Sequence, residues 1–332
     1  MTPPPYSNPS GIDITGRGVA RWAFERARRR LPRPPQEPVR GIAPDVAYLH
    51  ANRSEPTITW IGHASLLVQM GGLNILVDPV FSRRVSPVRF AGPKRHQPPG
   101  LSVAQLPHID VVAISHNHFD HLDHGSVHAV AQQAGGAPTF LVPKGVDRWF
   151  ARHVPGAVMG GARPTVHGFE WHEDFRLPTA SGDVAFHFLP VQHWSSRSAL
   201  RRNDTPWGSW AMLHPSCRFW YSGDLGYSED PKRIGEQFGP FDFAAIGIGA
   251  YAPRWFMHPQ HVDPAEAVQV MLDVGAAAAV GVHWGTFPLS DESLDQPPKD
   301  LAAAVAARGL APERFTVMRH GETRRMRERR GG

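Results

Sequence analysis

Residues 115–123 read SHNHFDHLD, directly after the apolar run 110–115, DVVAIS. A short and nearly continuous apolar run predicts a strand buried on both faces. The residues beyond it are costly to bury. His116, His118, Asp120 and His121 stand within six residues, and each needs a hydrogen-bond partner or a metal ion once water is removed. In a loop beyond a strand they can turn inward together, His116 and His118 towards one metal, Asp120 and His121 towards a second. Imidazole and carboxylate donors suit zinc, with iron and manganese as rivals.

Three further apolar runs deliver the same residue types just past their ends. The run 184–189 leads to His193, 218–221 leads to Asp224, and 277–282 leads to His283. Functional groups gather on the loops that leave rigid strands, so four such ends predict a two-metal ligand set rather than scattered structural histidines. Other predicted strands are 57–61, 65–70, 73–77, 139–142, 209–213, 243–248 and 314–318. Helical patterns cover 126–133, 264–274 and 299–308. Strands that first cluster and then mix with helices predict a sheet-rich α/β (or α+β) domain. That single domain is expected over 55–318. A Pro- and Arg-rich arm, 1–54, precedes it, and an Arg-rich tail, 319–332, comes after.

The chain has 332 residues with 35 Lys+Arg, 30 Asp+Glu and 19 His, a net charge of +5, and 41% hydrophobic residues. That composition excludes wholesale disorder. No apolar run approaches the roughly 18 residues of a membrane span. The single cysteine, Cys217, excludes an intrachain disulfide and a zinc site built from several thiolates. The start, MTPPPYSNPS, lacks the pattern of a secretory signal, so a cytoplasmic protein is expected. Residues 1–40 carry +5 and residues 319–332 carry +4, which leaves −4 for the middle. The basic balance therefore belongs to the ends, and no nucleic-acid partner is expected. Within the arm, 18–31 (GVARWAFERARRRL) places Val19, Trp22, Ala23, Ala27 and Leu31 at helical spacing among arginines. Such a helix either lies on an anionic membrane surface, here the inner face, or docks on the body through Trp22. A homodimer is left open.

The pattern HxHxDH followed by a His, an Asp and a His resembles the metallo-β-lactamase superfamily. The finer match is similar to its N-acylphosphatidylethanolamine-hydrolysing phospholipase D branch. It is carried by 59–64 (TWIGHA), Asp78-Pro79, 192–194 (QHW), 207–210 (WGSW), 222–227 (SGDLGY), 248–257 (IGAYAPRWFM), 260–264 (QHVDP) and 283–287 (HWGTF), over about 55–323. The resemblance implies a four-layer αββα sandwich, two facing sheets with helices on the outer faces. It implies a binuclear zinc hydrolase, a phosphodiesterase of phospholipase D type acting on such phospholipids through a hydroxide between the metals. One metal falls to His116, His118 and His193, the second to Asp120, His121 and His283, with Asp224 bridging. Asp120, Asp224 and His261 are the implied catalytic residues. Trp194, Tyr251, Trp255, Phe256 and Met257 would line a groove for acyl chains. His63 is a further site residue, at the substrate or behind the ligands, unless it is only a turn histidine. Leu225 and Ala252 depart from the branch, which has Thr and Glu there. Two other functions remain: a lactonase or other carbonyl hydrolase on the same site, and a non-enzymatic lipid-binding module.

Overall fold

The computed structural model describes residues 5–11, 18–28, 41–88, 90–154, 166–198 and 201–326. Residues 29–31 of the expected amphipathic segment, the Pro-rich stretch 32–38 and the last six residues lie outside the described residues.

The strands in chain order are β1 (Thr57–Gly62), β2 (Ser65–Met70), β3 (Leu73–Val77), β4 (Val111–Ala113), β5 (Thr139–Pro143), β6 (Val166–Phe169), β7 (Asp174–Leu177), β8 (Val184–Leu189), β9 (Ser196–Ser198), β10 (Arg201–Arg202), β11 (Ser209–His214), β12 (Cys217–Tyr221), β13 (Phe243–Gly247), β14 (Ala279–Val282), β15 (Phe315–Val317) and β16 (Thr323–Arg325). The helices are α1 (Val19–Arg28), α2 (Val46–Ala51), α3 (His124–Ala131), α4 (Val146–His153), α5 (Asp230–Phe238), α6 (Arg254–Met257), α7 (Pro264–Asp273) and α8 (Gln296–Ala307).

Two seven-stranded sheets result, ordered β16-β1-β2-β3-β4-β5-β6 and β15-β14-β13-β12-β11-β8-β7. Each is antiparallel on one side and parallel on the other. The period-2 alternation of side chains assigns the layers. Leu66, Val68, Ile75, Val77, Val111 and Ala113 of the first sheet share a core with Phe186, Trp210 and Phe219 of the second. The intervening Leu67, Leu76 and Val112 face the other way and pack with Leu49 of α2, Val127 of α3 and Phe150 of α4. Beyond the second sheet, α7 and α8 pack on each other and on β13 and β15. This is the expected four-layer sandwich. Helix α7 starts where Asp263 accepts from Ala265 N and Glu266 N while Glu266 reaches back, with Pro264 as its first residue.

Packing extends past the expected limits of the domain at both ends. In the arm, Leu49 is fully buried, and Asn52 donates to Gln69 Oε1 at 3.1 Å. In the tail, Thr57 pairs with Arg325 and Thr59 with Thr323, and His320 and Met326 are buried. Packed structure is therefore continuous through α2 at one end and reaches Met326 at the other, and Tyr6 also packs on the inter-sheet core. Cys217 lies buried in the inter-sheet core.

One side chain ties the two sheets at the end of β4. Trp210, fully buried, donates Nε1–H to the carbonyl of Ile114 at 3.0 Å. Its ring meets Phe169 and Phe188 at centroid distances of 5.3 and 4.9 Å. Trp210→Phe keeps most of the packing and removes the donor. Urea unfolding should show a loss of about 1–3 kcal/mol, the cost of a buried acceptor left without its partner.

Candidate metal centre

The ends of β4, β8, β12 and β14 point to one edge of the sandwich, and there the chemistry gathers. His116, His118, His193 and Asp224 offer atoms that all lie within 4.8 Å of one another; so do His63, Asp120, His121 and His283, and so do Asp224, His261 and His283. All seven expected ligands are thus brought together. His116, His121, His193, Asp224 and His283 are buried, and His118 and Asp120 are half-buried.

The hydrogen bonds behind the ligands set which ring nitrogen faces the centre. His193 Nδ1–H donates to the carbonyl of Gln260 at 2.9 Å, which leaves a lone pair on Nε2. Ser115 Oγ gives its proton to Asp78 Oδ2 at 2.5 Å, so it accepts from His116 Nδ1–H at 2.9 Å. His116 Nε2 therefore also carries a lone pair. These nitrogens approach His118 Nδ1 to 3.4 and 2.8 Å, while His118 Nε2 is buried without a partner. Three imidazole nitrogens thus converge beside the Asp224 carboxylate, two of them with lone pairs turned inward, an arrangement in which one cation could take all of them as donors. The donor set fits a metal ion, and borderline nitrogen and oxygen donors of this kind suit zinc.

The second group has the opposite charge state. His121 Nδ1 faces Asp78 Oδ2 at 2.7 Å, and its Nε2 faces Asp224 Oδ2 at 3.1 Å. His283 Nε2 stands 3.3 Å from both Asp120 Oδ2 and Asp224 Oδ1. Burial opposes charging these rings, but the surrounding carboxylates override it. They raise His121 well above its usual range and His283 to about 9. In the first group burial wins, taking His193 down to about 3 and His118 to about 4. Against the desolvation of the site, His121 and His283 hold Asp120 and Asp224 well below the usual carboxylate range. Asp224 thus links both groups through its two oxygens.

Of the readings open for His63, the structure shows the one behind the centre. It sits at φ 54 in the turn between β1 and β2, with Nε2 on Asp120 Oδ2 at 3.0 Å. It faces a ligand from behind and does not line the cavity above the site. That cavity, about 1040 Å³, is lined by His118, Asp120, Asp224, His261 and His283 at its floor. Trp194, Trp255, Phe256 and Met257 line it, and Trp22 of α1 joins them. The Tyr251 hydroxyl instead donates to Asp300 Oδ2 at 2.5 Å, and Tyr251 lies outside the lining.

Three contributors escaped the sequence reading. Tyr221 donates its hydroxyl to Asp78 Oδ2 at 2.6 Å. Asp78 itself appeared only as part of a motif. Arg197, four residues past His193, donates to the carbonyls of Asn117 at 3.0 Å and Leu122 at 2.7 Å. Its guanidinium covers Phe119 at 4.1 Å, and burial lowers it to about 10. It clamps both ends of the turn that carries His118, Asp120 and His121. An Arg beside a family His was the available signal, but in a polar hairpin it reads as a solvated charge.

A model of the β-lactamase superfamily domain matches residues 73–284. The N-acyl-phosphatidylethanolamine-hydrolyzing phospholipase D 1 of Caenorhabditis elegans is 38% identical over 267 residues, covering 80% of this chain and 74% of the relative. The mitochondrial enzyme of the same name from Saccharomyces cerevisiae is 32% identical over 246 residues, covering 73% of this chain and 50% of that one. Among solved structures, Igni18, a metallo hydrolase from Ignicoccus hospitalis, superposes with a TM-score of 0.59 at 18% identity over 82% of this chain and 98% of its own.

Metal uptake should be linked to proton release. Zinc needs neutral rings, and His121 and His283 hold protons below their raised pKa values, so binding at pH 7–8 should release about two protons. Calorimetry in buffers of different ionisation enthalpy counts them, and affinity should fall as pH is lowered. Arg197→Lys cannot hold both carbonyls with one ammonium group. Zinc affinity, read by competition with a chelating dye, should drop roughly 10–100-fold with the circular dichroism unchanged.

Proposed function

The chain belongs to the metallo-β-lactamase superfamily, in its N-acylphosphatidylethanolamine-hydrolysing phospholipase D-like branch. We propose that it is a two-zinc phosphodiesterase acting on N-acylphosphatidylethanolamine-like lipids. It is a metal-dependent hydrolase by fold and kinship; the diester and the lipid are the proposal. The observation that carries it is the cavity of about 1040 Å³ whose floor is the carboxylate–imidazole centre and whose walls are Trp22, Trp194, Trp255, Phe256 and Met257. That is room and surface for acyl chains above a polar reacting group. Because such lipids sit in bilayers, the reading includes peripheral contact with a membrane surface.

His116, His118 and His193 would hold one zinc, Asp120, His121 and His283 the other, with Asp224 between them. When bound, the pair supplies Lewis acidity to a phosphoryl oxygen and a water acidic enough to ionise near pH 7. The protein does the rest. Asp78 and Gln260 fix the rings of His121 and His193, and the aromatic walls keep bulk water from the reacting phosphate. His261, on the cavity floor, has its pKa lowered by burial to about 3 and is neutral. A neutral imidazole there donates N–H to a phosphoryl oxygen or to the departing N-acylethanolamine oxygen. Water oxygen would bond to phosphorus as the bond from phosphorus to the N-acylethanolamine oxygen breaks, one proton of the water would end on that leaving oxygen, and the products would be phosphatidic acid and the N-acylethanolamine.

Mass spectrometry of products from a mixed phospholipid pool, with the zinc-loaded protein, tests this. Phosphatidic acid and N-acylethanolamines should appear together. Asp224→Asn should abolish both and lose zinc on elemental analysis. His261→Ala should keep its zinc and lose about 10²–10³ in turnover, the worth of one positioned donor to developing charge. Turnover of a lactone panel without any diester cleavage would sink the phosphodiesterase in favour of a carbonyl hydrolase.

A further inference from the structure

Among the described residues, the large apolar side chains left exposed are not scattered. Of seven, five (Val19, Phe24, Val88, Phe90 and Trp255) sit on three segments that border the cavity mouth. Helix α1 contributes Val19 and Trp22 to the cavity wall, the loop 82–95 contributes Val85 and Pro87, and α6 contributes Trp255. Exposed apolar side chains gathered on the segments around one cavity mouth mark a contact site.

The loop is built as a projecting hairpin. Arg84 and Lys94 pair across it, Val85 N donates to Pro93 O at 3.2 Å, and Arg95 N donates to Arg83 O at 2.8 Å. At its base the Arg95 guanidinium holds the carbonyls of Ser82 and Val80 at 3.1 and 2.5 Å. The tip then presents Val88 and Phe90, the latter 83% exposed. Beside it, α1 is fastened with its Trp22 ring stacked on Phe256 at 5.2 Å and its Arg21 over Trp255 at 4.2 Å. Trp22 is thereby turned inward with Val19, and Phe24 remains outward, 57% exposed.

Charge accompanies the apolar surface. The same two segments carry Arg21, Arg26, Arg28, Arg83, Arg84 and Lys94. Against them stand Glu25, paired with Arg21 at 2.7 Å, and Asp291, 3.5 Å from Arg26. Aromatic tips interleaved with an excess of cations are complementary to a bilayer bearing anionic headgroups.

We propose that this rim, formed by α1, the tip of the 82–95 hairpin and the exposed edge of Trp255, docks the protein on an anionic lipid bilayer with the cavity mouth facing the membrane. Phe24 and Phe90 enter the headgroup layer, and the neighbouring cations meet lipid phosphates, each adding about five-fold to affinity. The proposal rests on the lipid-hydrolase reading only for what enters the cavity; docking itself is measured without turnover.

The test is co-sedimentation of the full chain with phosphatidylglycerol or phosphatidylcholine vesicles. The parent should sediment with phosphatidylglycerol at low salt, lose that binding as salt rises, and bind phosphatidylcholine far less. Phe24→Asp and Phe90→Asp should each weaken binding about ten-fold or more. Neither residue lines the cavity, so cleavage of soluble bis(p-nitrophenyl) phosphate should stay at the parent's rate. Parent-like sedimentation of both variants, or equal binding of the parent to both lipids, would overturn the proposal. So would light scattering that shows the substitutions dissolving a dimer while vesicle binding persists, which would make the rim a contact between copies. A parent that cleaves no diester would remove the phosphodiesterase reading and leave the sedimentation result standing.

Discussion

The buried carboxylate of Asp78 holds the whole centre in register. It lies at φ 38 where β3 ends, and it accepts from Ser115 N and Ser115 Oγ at the end of β4. It accepts also from His121 in the ligand turn and from Tyr221 at the end of β12. Four donors from three segments and both sheets thus meet on one fully buried side chain. Such a charge is tolerable inside only when saturated with hydrogen bonds. Saturation fixes more than stability. It sets the proton on Nδ1 of His121 and, through Ser115, on Nδ1 of His116, so that both present Nε2 to the centre.

The centre concentrates charge that the fold must hold against itself. Asp120 and Asp224 are ionised among five imidazoles, and burying ions costs more than their attraction returns unless the geometry is tight. The sandwich supplies that geometry by crossing the seam between its sheets with hydrogen bonds. Gly208 N donates to Ser115 O at 3.0 Å, and His283 N donates to His63 O at 2.9 Å. His63 N in turn donates to Thr286 Oγ1 at 2.7 Å. With Trp210 on Ile114, these bonds make the distance between the two ligand groups a property of sheet packing rather than of loop conformation.

The candidate ligands stand out in the sequence because they follow four apolar runs, and an apolar strand can be recognised from composition alone. Their supports were legible only in part. Asp78 closes a strand and belongs to a family motif, but nothing local says that it accepts four hydrogen bonds. Arg197 is seen as a clamp only when the hairpin β9–β10 folds back over the ligand turn. The ends were misjudged for a different reason. Arginine-rich composition suggested a solvated tail, yet β16 joins its sheet through backbone groups, and backbone pairing is blind to side-chain charge when an edge strand faces solvent. Strand β7 was missed on the same ground, since its burial alternates between exposed and half-buried and leaves no apolar signature.

The two departures from the branch pattern can be placed by the same reasoning. Leu225 is buried in the inter-sheet core, and its contribution to the site is its carbonyl, which accepts from Val262 N at 2.8 Å. That bond fixes the backbone next to His261 and is indifferent to the side chain at 225. At Ala252 the backbone N–H donates to Glu292 Oε2 at 3.0 Å, while Ala250 N donates to Glu292 Oε1 at 2.7 Å. A carboxylate from 40 residues downstream in sequence therefore secures the segment that leads into α6. Both substitutions leave the ligand geometry to backbone contacts. Their influence reaches the cavity only through the placing of His261, Trp255 and Phe256, which is where substrate selection by this chain is to be sought.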